Sequence, residues 1–254
     1  MSGVVQADRP RVGLIIPPAN NVVPPECETL YGDAIEFAAR GAALKSLDIA
    51  GYTDAETRIA GLAEELRDWG AAAIVLMGTS MTFYRGRAHT REMEEMASAA
   101  SGLPTTSLSS SVITALASLD AQRIVLGTAY VDEVNQALVS FLAEHGIETT
   151  GLSAMDIRDV REVHEVTSRQ VLDTGLRAFE KDPDADAILI SCGALHTLEI
   201  TAALEEETGK TVISSAVAGA GGAAAMAGID TRRSGYGRWL QAVPFESSVA
   251  HHRI

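Results

Sequence analysis

The chain has 254 residues, of which 46% are hydrophobic and 21% charged, an ordinary composition for one large or two small α/β domains. The formal net charge of −14 offers no attraction to nucleic acid or to an anionic membrane surface. No apolar run approaches the roughly 20 residues of a membrane span. The first ten residues lack the apolar core of a signal peptide, so a cytoplasmic protein is expected.

The two cysteines, Cys27 and Cys192, lie far apart and form no CxxC pair. Isolated cysteines in a cytoplasmic chain predict free thiols rather than disulfides. The six histidines lack the spacing of metal ligands, so we expect no metal site. Cys27 begins a predicted helix with no base beside it and is interpreted as a partly buried helix residue.

Buried strands alternate with helices along the first half of the chain. An apolar run at residues 11–16, closed by Pro17 and Pro18, predicts a central parallel strand. The following predictions are a helix at 26–31, a strand and loop at 37–47, a helix at 59–69 ended by Gly70, a strand at 71–77, a turn-like segment at 81–86, a helix at 90–101, a short strand at 104–108, and a helix at 112–119 capped by Ser109, Ser110 and Ser111.

The pattern restarts at Arg123. The predictions here are a strand at 123–126, a loop at 127–130, a helix at 131–145 ended by Gly146, a strand at 149–152, a helix at 167–179, strands at 186–190 and 211–215, and an Ala/Gly-rich helix at 216–228. Residues 249–254 are expected to be poorly ordered.

The restart indicates an internal repeat. In each half the central loop is followed by the same series of elements: a helix, a short strand, a Ser pair and an Ala-rich helix. The Ser pairs are Ser110-Ser111 in the first half and Ser215 with its neighbour in the second. We therefore predict an α/β fold of two similar parallel-sheet halves related by a pseudo-twofold axis, with the active site in the cleft between them. Residues 1–119, completed by 229–254, are assigned to the first half, and residues 120–228 to the second.

The cleft is expected to contain the segment after the strand at 186–190. Cys192, Gly193 and Ala194 stand where open α/β sheets bind ligands, and a helix-like pattern follows them. A buried apolar role for Cys192 is the alternative. Thr79 and Ser80 occupy the equivalent place in the first half.

Hydroxyls and backbone N–H groups at these positions, together with the Tyr130 phenol, can hold a carboxylate and the enediolate formed from it without a fixed cation. A thiol beside them can deliver or remove an α-proton. Racemisation by two bases needs an acid–base residue on each face of the substrate, but Gly78 or one of its neighbours, none of them a cysteine, fills the place equivalent to Cys192. One-sided proton delivery favours a reaction that makes its carbanion by loss of CO₂.

Several motifs resemble one known family from Val12 to Arg238. They are Gly13-Leu-Ile-Ile-Pro-Pro18, Leu76-Met-Gly-Thr-Ser80 with Phe83-Tyr-Arg-Gly86, Thr128-Ala-Tyr-Val-Asp132, Leu189-Ile-Ser-Cys-Gly193 and Gly235-Tyr-Gly-Arg238. The chain resembles the aspartate/glutamate racemase superfamily and, within it, the arylmalonate decarboxylases.

The resemblance implies cofactor-free decarboxylation of an α-aryl or α-alkenyl malonate to a chiral monocarboxylic acid. It implies that Cys192 protonates an enediolate held in a dioxyanion hole formed by Thr79, Ser80, Tyr130, Cys192, Gly193 and Ala194. It further implies a substrate pocket lined by Pro18, Leu44, Leu47, Gly78, Met81, Val160 and Val163, in which Gly78 leaves room for the aryl group.

The chain departs from the family pattern near the thiol. Ala194 replaces a second glycine, and His196 replaces an apolar residue; His196 is interpreted as a surface residue of a helix or as a group that tunes the thiol. Arg161 and His164 flank the predicted pocket and either face solvent or select a more polar substrate. Asn20-Asn21 is similar to the first loop of maleate isomerases, which use a second cysteine that is missing here.

Three other functions stay open. The chain is alternatively a racemase or a maleate isomerase-like cis–trans isomerase acting on a small diacid or amino acid, or a protein that only binds carboxylates. A flavodoxin-like electron carrier is disfavoured because no aromatic pair flanks the Thr79 loop. The expected partner is a small-molecule dicarboxylate, with the protein as a monomer or small homo-oligomer that binds neither nucleic acid nor membrane.

Overall fold

Two four-stranded parallel sheets form the frame of the protein in a computed structural model that describes residues 9–242. The first sheet contains β1 (Arg11–Ile16), β2 (Glu36–Gly41), β3 (Ala73–Leu76) and β4 (Thr105–Ser107), in the order β2-β1-β3-β4. The second contains β5 (Arg123–Thr128), β6 (Glu148–Ala154), β7 (Ala187–Ser191) and β8 (Thr211–Ser214), in the order β6-β5-β7-β8.

Helices connect the strands. They are α1 (Pro25–Tyr31), α2 (Ile49–Glu56), α3 (Ile59–Trp69), α4 (Thr79–Phe83), α5 (Gly86–Ser101), α6 (Leu108–Ser118), α7 (Asp132–Ala143), α8 (Val160–Val163), α9 (Ser168–Phe179), α10 (Thr201–Thr208), α11 (Ser215–Met226) and α12 (Arg238–Ala242). The eight predicted strands are all present, and the α/β class is confirmed. The central strands are continuous apolar runs because both faces of each sheet are covered.

The strand register supports the pseudo-twofold repeat. Leu76 of β3 pairs with Ser107, and Ile190 of β7 pairs with Ser214. Ser107 and Ser214 are the N-caps of α6 and α11, and each accepts a hydrogen bond from the backbone N–H three residues later. Two residues beyond Leu76 and Ile190 stand Gly78 and Cys192, which are therefore equivalent positions.

The same register corrects two serine predictions. Ser107, not Ser109, Ser110 or Ser111, caps α6, because Ser107 accepts the Ser110 N–H at 3.1 Å. The predicted equivalence of Ser110 with Ser215 is displaced by two positions, since Ser107 corresponds to Ser214.

Three further segments differ from expectation. The predicted turn at 81–86 is occupied by the end of α4, in which the Thr82 hydroxyl bonds the carbonyls of Gly78 and Thr79, and by the start of α5. The helix α2 was not predicted; its sequence has weak apolar periodicity, and the Asp48 carboxylate caps it. The helix-like pattern after Cys192 forms turns, and α10 begins only at Thr201.

The halves pack through α11 against α6 and α1. Small side chains make α11 narrow enough for this contact: a Cβ on Gly219 would lie 3.0 Å from Leu108 and Met77. The segment after α11 contacts both halves, with Tyr31 donating to the Thr231 carbonyl at 2.6 Å and Arg238 to Glu205 at 2.9 Å.

The assignment of residues 229–254 to the first half stays a prediction, and 249–254 lie outside the described residues. None of the helices within residues 9–242 is long and apolar enough to cross a bilayer.

Candidate active site

A cavity of about 260 Å³ lies where the carboxyl ends of the two sheets meet. The residues that follow β1, β3, β5 and β7 all reach its wall, as expected for ligand sites in parallel sheets. Of the predicted site residues, the wall contains Pro18, Leu44, Leu47, Gly78, Thr79, Ser80, Tyr130, Val163, Cys192, Gly193 and Ala194.

Cys192 follows β7 directly and is 7% exposed. Its φ of 151° is unusual for a residue with a side chain and is held by the surrounding packing. Burial raises the pKa of the thiol to about 11, and the N–H groups of Ala194 and Leu195 and the Tyr130 hydroxyl oppose this effect only in part. The group is therefore a thiol at neutral pH, ready to give a proton rather than take one.

Two buried hydroxyls near the thiol are left without hydrogen-bond partners among residues 9–242. They are Thr79 Oγ1, on the cavity wall, and the Tyr52 hydroxyl, which lies behind it towards Ser80. An unpaired buried hydroxyl costs stability, so its presence points to a ligand that completes the bond. Tyr130 is 1% exposed, and its hydroxyl lies 3.4 Å from Ser191 Oγ. Burial holds the pKa of this phenol far above its ordinary value, so it stays a donor.

Gly78 and Gly193 bring backbone close to the cavity. A Cβ on Gly193 would lie 3.0 Å from Leu108 and 3.6 Å from Thr79 Oγ1. A Cβ on Gly78 would lie 2.9 Å from the terminal methyl of Met81. Met81 is fully buried against Gly78 and is not on the cavity wall, which differs from its predicted place in the pocket.

The apolar end of the cavity is built by both halves. Leu44 and Leu47, from the loop after β2, meet Val163 at the end of α8. The Leu47 N–H donates to the Arg158 carbonyl at 3.3 Å and so ties the two halves at this end. Val160, also predicted in the pocket, begins α8.

Sequence reasoning missed Tyr52 and Glu26. Tyr52 belongs to the unpredicted α2, and Glu26 is a buried carboxyl on the cavity wall. An acidic residue is common in the first turn of a helix, so only the fold shows that Glu26 faces the cavity. His164 and His196 are exposed residues on the rim, and His196 lies in the irregular segment before α10 rather than in a helix.

The structure places two further residues that the sequence analysis discussed. Arg161, predicted beside the pocket, is not on its wall and pairs with Asp159. Cys27 is fully buried rather than partly buried. The cavity wall contains no Lys or Arg, and residues 9–242 contain no His, Cys, Asp and Glu cluster suited to a metal ion.

Comparison with known proteins assigns the class. The arylmalonate decarboxylase of Bordetella bronchiseptica is 40% identical over 234 residues, which are 92% of this chain and 97% of that protein. The crystal structure of a liganded arylmalonate decarboxylase variant, with a glycine changed to cysteine and a cysteine to serine, matches with a TM-score of 0.89 at 38% identity, covering 92% of this chain and 100% of the other. The maleate isomerase of Pseudomonas putida S16 shares the fold, with a TM-score of 0.86 at 21% identity over 92% of this chain and 99% of its own.

Two parallel-sheet halves that enclose a thiol in their cleft define a protein of the aspartate/glutamate racemase-like fold. The family profile described as arylmalonate decarboxylase matches residues 12–240. The chain belongs to the arylmalonate decarboxylase family, and its predicted assignment to the carboxy-lyases is confirmed.

The pKa of Cys192 predicts slow alkylation. At pH 7.5 we expect iodoacetamide to modify Cys192 about a hundredfold more slowly than free cysteine, because the thiolate fraction is smaller by about two orders of magnitude. The rate should rise as the pH approaches 11. Mass spectrometry of a Cys27→Ala background isolates this site. Fast modification at pH 7.5 would contradict the raised pKa.

The raised pKa of the Cys192 thiol also makes the free energy of unfolding depend on pH. The folded chain binds this proton more tightly than the unfolded chain, so the thiol's contribution to stability is complete below about pH 8.5 and is lost as the pH rises towards 11.

Proposed function

We propose that the protein decarboxylates an α-aryl or α-alkenyl malonate and protonates the resulting enediolate through Cys192. The observation that carries this proposal is a single protonated thiol beside buried hydroxyls that lack partners, in a cavity with no fixed cation. The relative from Bordetella bronchiseptica is named as an arylmalonate decarboxylase, which supports the decarboxylation step.

One carboxylate of the substrate stays and binds the donors of Thr79, Ser80 and Tyr130 and the backbone N–H groups of Gly193 and Ala194. The other lies at the apolar end, beside Leu44, Leu47 and Val163, where loss of its hydration favours departure as CO₂. The breaking C–C bond leaves its electron pair on the α-carbon and on the retained carboxylate. The enediolate that forms carries two negative oxygens, and each donor placed at them is worth about 3 kcal/mol.

Cys192 then gives its proton to the α-carbon. The backbone N–H of Leu195, which the retained carboxylate does not use, stabilises the thiolate that remains until water returns a proton. Because the thiol approaches from one side of the cavity, the product has one hand.

The direct test is CO₂ release from phenylmalonate and from methyl-phenylmalonate. We expect release from both, and in D₂O a single enantiomer of α-deuterated 2-phenylpropionate from the second. Absence of release from both, with deuterium entering the α-carbon of a diacid or amino acid instead, would replace the proposal with an isomerase or racemase, the function class suggested by the maleate isomerase fold relative.

The equivalence of Gly78 and Cys192 predicts the effect of a second thiol. In Gly78→Cys the new thiol stands on the opposite side of the cavity, and Met81, whose flexible end is 2.9 Å from the new Cβ, has to move. We expect CO₂ release to persist, with a product of lower enantiomeric purity because protons arrive on both faces. Chiral chromatography of the methyl-phenylmalonate product measures this.

The matched variant adds Cys192→Ser to Gly78→Cys. It leaves a single thiol on the new side, so its product should have the opposite hand. An unchanged hand in this double variant would show that Cys192 does not deliver the proton.

A further inference from the structure

The cavity wall contains one buried carboxyl group that the proposed reaction does not use. Glu26 is 3% exposed and lies on the wall, whereas the other unused polar residues, Asn20, His164 and His196, are exposed at the rim. No Lys or Arg on the wall offsets this carboxyl. A dianionic malonate therefore enters a cavity that already holds a buried acid.

Glu26 lies close to residues of the opposite half of the protein. The backbone N–H groups of Glu26 and Thr197 and the His196 side chain favour the ionised form of its carboxyl and lower its pKa, against the larger effect of burial. Thr197 is in turn fixed by a 2.5 Å hydrogen bond between its hydroxyl and Ser214 Oγ. Burial raises the pKa of Glu26, which shows that nearby donors compensate its charge only in part. A donor supplied by a ligand would complete this compensation.

The neighbouring wall suits the spacer of such a ligand. Val22, Val23 and Pro24 precede Glu26 on the same loop and line the cavity, and Val22 is 63% exposed. An aromatic ring that packs on these apolar residues can carry a polar substituent to the carboxyl.

We propose that Glu26 selects malonates whose α-aryl group carries a hydrogen-bond-donating substituent, an ammonium group above all. This inference rests on the decarboxylase function proposed above and names the substrate class of the same cavity. The ammonium group forms a charge-assisted hydrogen bond with Glu26 and reduces the repulsion between that carboxylate and the malonate.

The test compares phenylmalonate with 3- and 4-(aminomethyl)phenylmalonate. In the unmodified protein we expect kcat/KM to be about tenfold or more higher for at least one amino substrate. Glu26→Gln keeps an acceptor for the Thr197 N–H but removes the charge; it should lose this preference and gain activity on phenylmalonate. Glu28→Gln, which removes the same charge from an exposed position of α1, should keep the preference.

Two results would overturn the proposal. One is equal kcat/KM for all three substrates in the unmodified protein. The other is an equal loss on all three substrates in Glu26→Gln, which would show that Glu26 only anchors Thr197.

A failure of the decarboxylase function is distinguishable. If no substrate releases CO₂, the role of Glu26 in recognition is tested without turnover. Calorimetry then compares the dissociation constants of phenylacetate and of the aminomethyl-phenylacetates. A preference for the amino compounds that Glu26→Gln abolishes supports the recognition role, and equal binding rejects it.

Discussion

Cys192→Ala is expected to lower kcat for CO₂ release by about 10²–10⁴-fold, the usual contribution of a positioned general acid. The thiol is 7% exposed on the cavity wall, and its pKa of about 11 keeps it protonated at neutral pH. Without it, the enediolate waits for a proton from water. The measurement is CO₂ release from phenylmalonate, with thermal unfolding of the same sample to show that the fold is intact.

Cys27→Ala is the matched control. It makes the same chemical change at the other cysteine, which is fully buried and absent from the cavity wall. We expect kcat close to that of the unmodified protein. Full activity in Cys192→Ala would remove the proposed proton donor, and an equal loss in both variants would indicate a general effect on packing.

Thr79→Val is expected to separate activity from stability. The hydroxyl has no partner among the described residues, so an isosteric methyl removes a buried unpaired group and should leave the free energy of unfolding unchanged or raise it by about 1 kcal/mol. The same change removes a donor to the enediolate and should lower kcat/KM by about 10²–10³-fold. Chemical denaturation and steady-state kinetics measure the two effects.

Thr82→Val provides the opposite pattern on the same helix. The Thr82 hydroxyl donates to the Gly78 or Thr79 carbonyl at 3.0 Å and lies 2.6 Å from Ser109 Oγ. Thr82 is fully buried and is not on the cavity wall. Its loss should lower stability by about 1 kcal/mol, with a smaller effect on kcat/KM than Thr79→Val. If Thr79→Val lowers stability and leaves kcat/KM unchanged, its hydroxyl is structural.

The local pattern of apolar residues was enough to predict the strands. β7 is a run of apolar residues whose five positions are all buried, and a run of this kind is stable only at the centre of a covered parallel sheet. The place of Cys192 at its end follows directly. The equivalence of Gly78 with Cys192 was also predictable, because the two halves repeat the same order of elements.

Helix ends and short helices were less predictable. Four serines, at positions 107, 109, 110 and 111, lie near the start of α6. Ser107 caps the helix because it is the residue that ends β4. The turns after Cys192 contain residues at helical spacing, yet the Thr197 hydroxyl is hydrogen-bonded to Ser214 at the end of β8. Contacts of this kind are invisible in a local pattern.

The amino-acid order alone therefore determines the two α/β halves, the single thiol at the end of β7 and the absence of a second thiol opposite it. These features depend on residues close in sequence, or on the repetition of a pattern. The tertiary structure decides which groups face the substrate: it brings Tyr52 behind Ser80, moves Met81 off the wall and places Glu26 on it. Burial then sets the protonation of Cys192, because the free energy of a charge depends on the solvent excluded by both halves together.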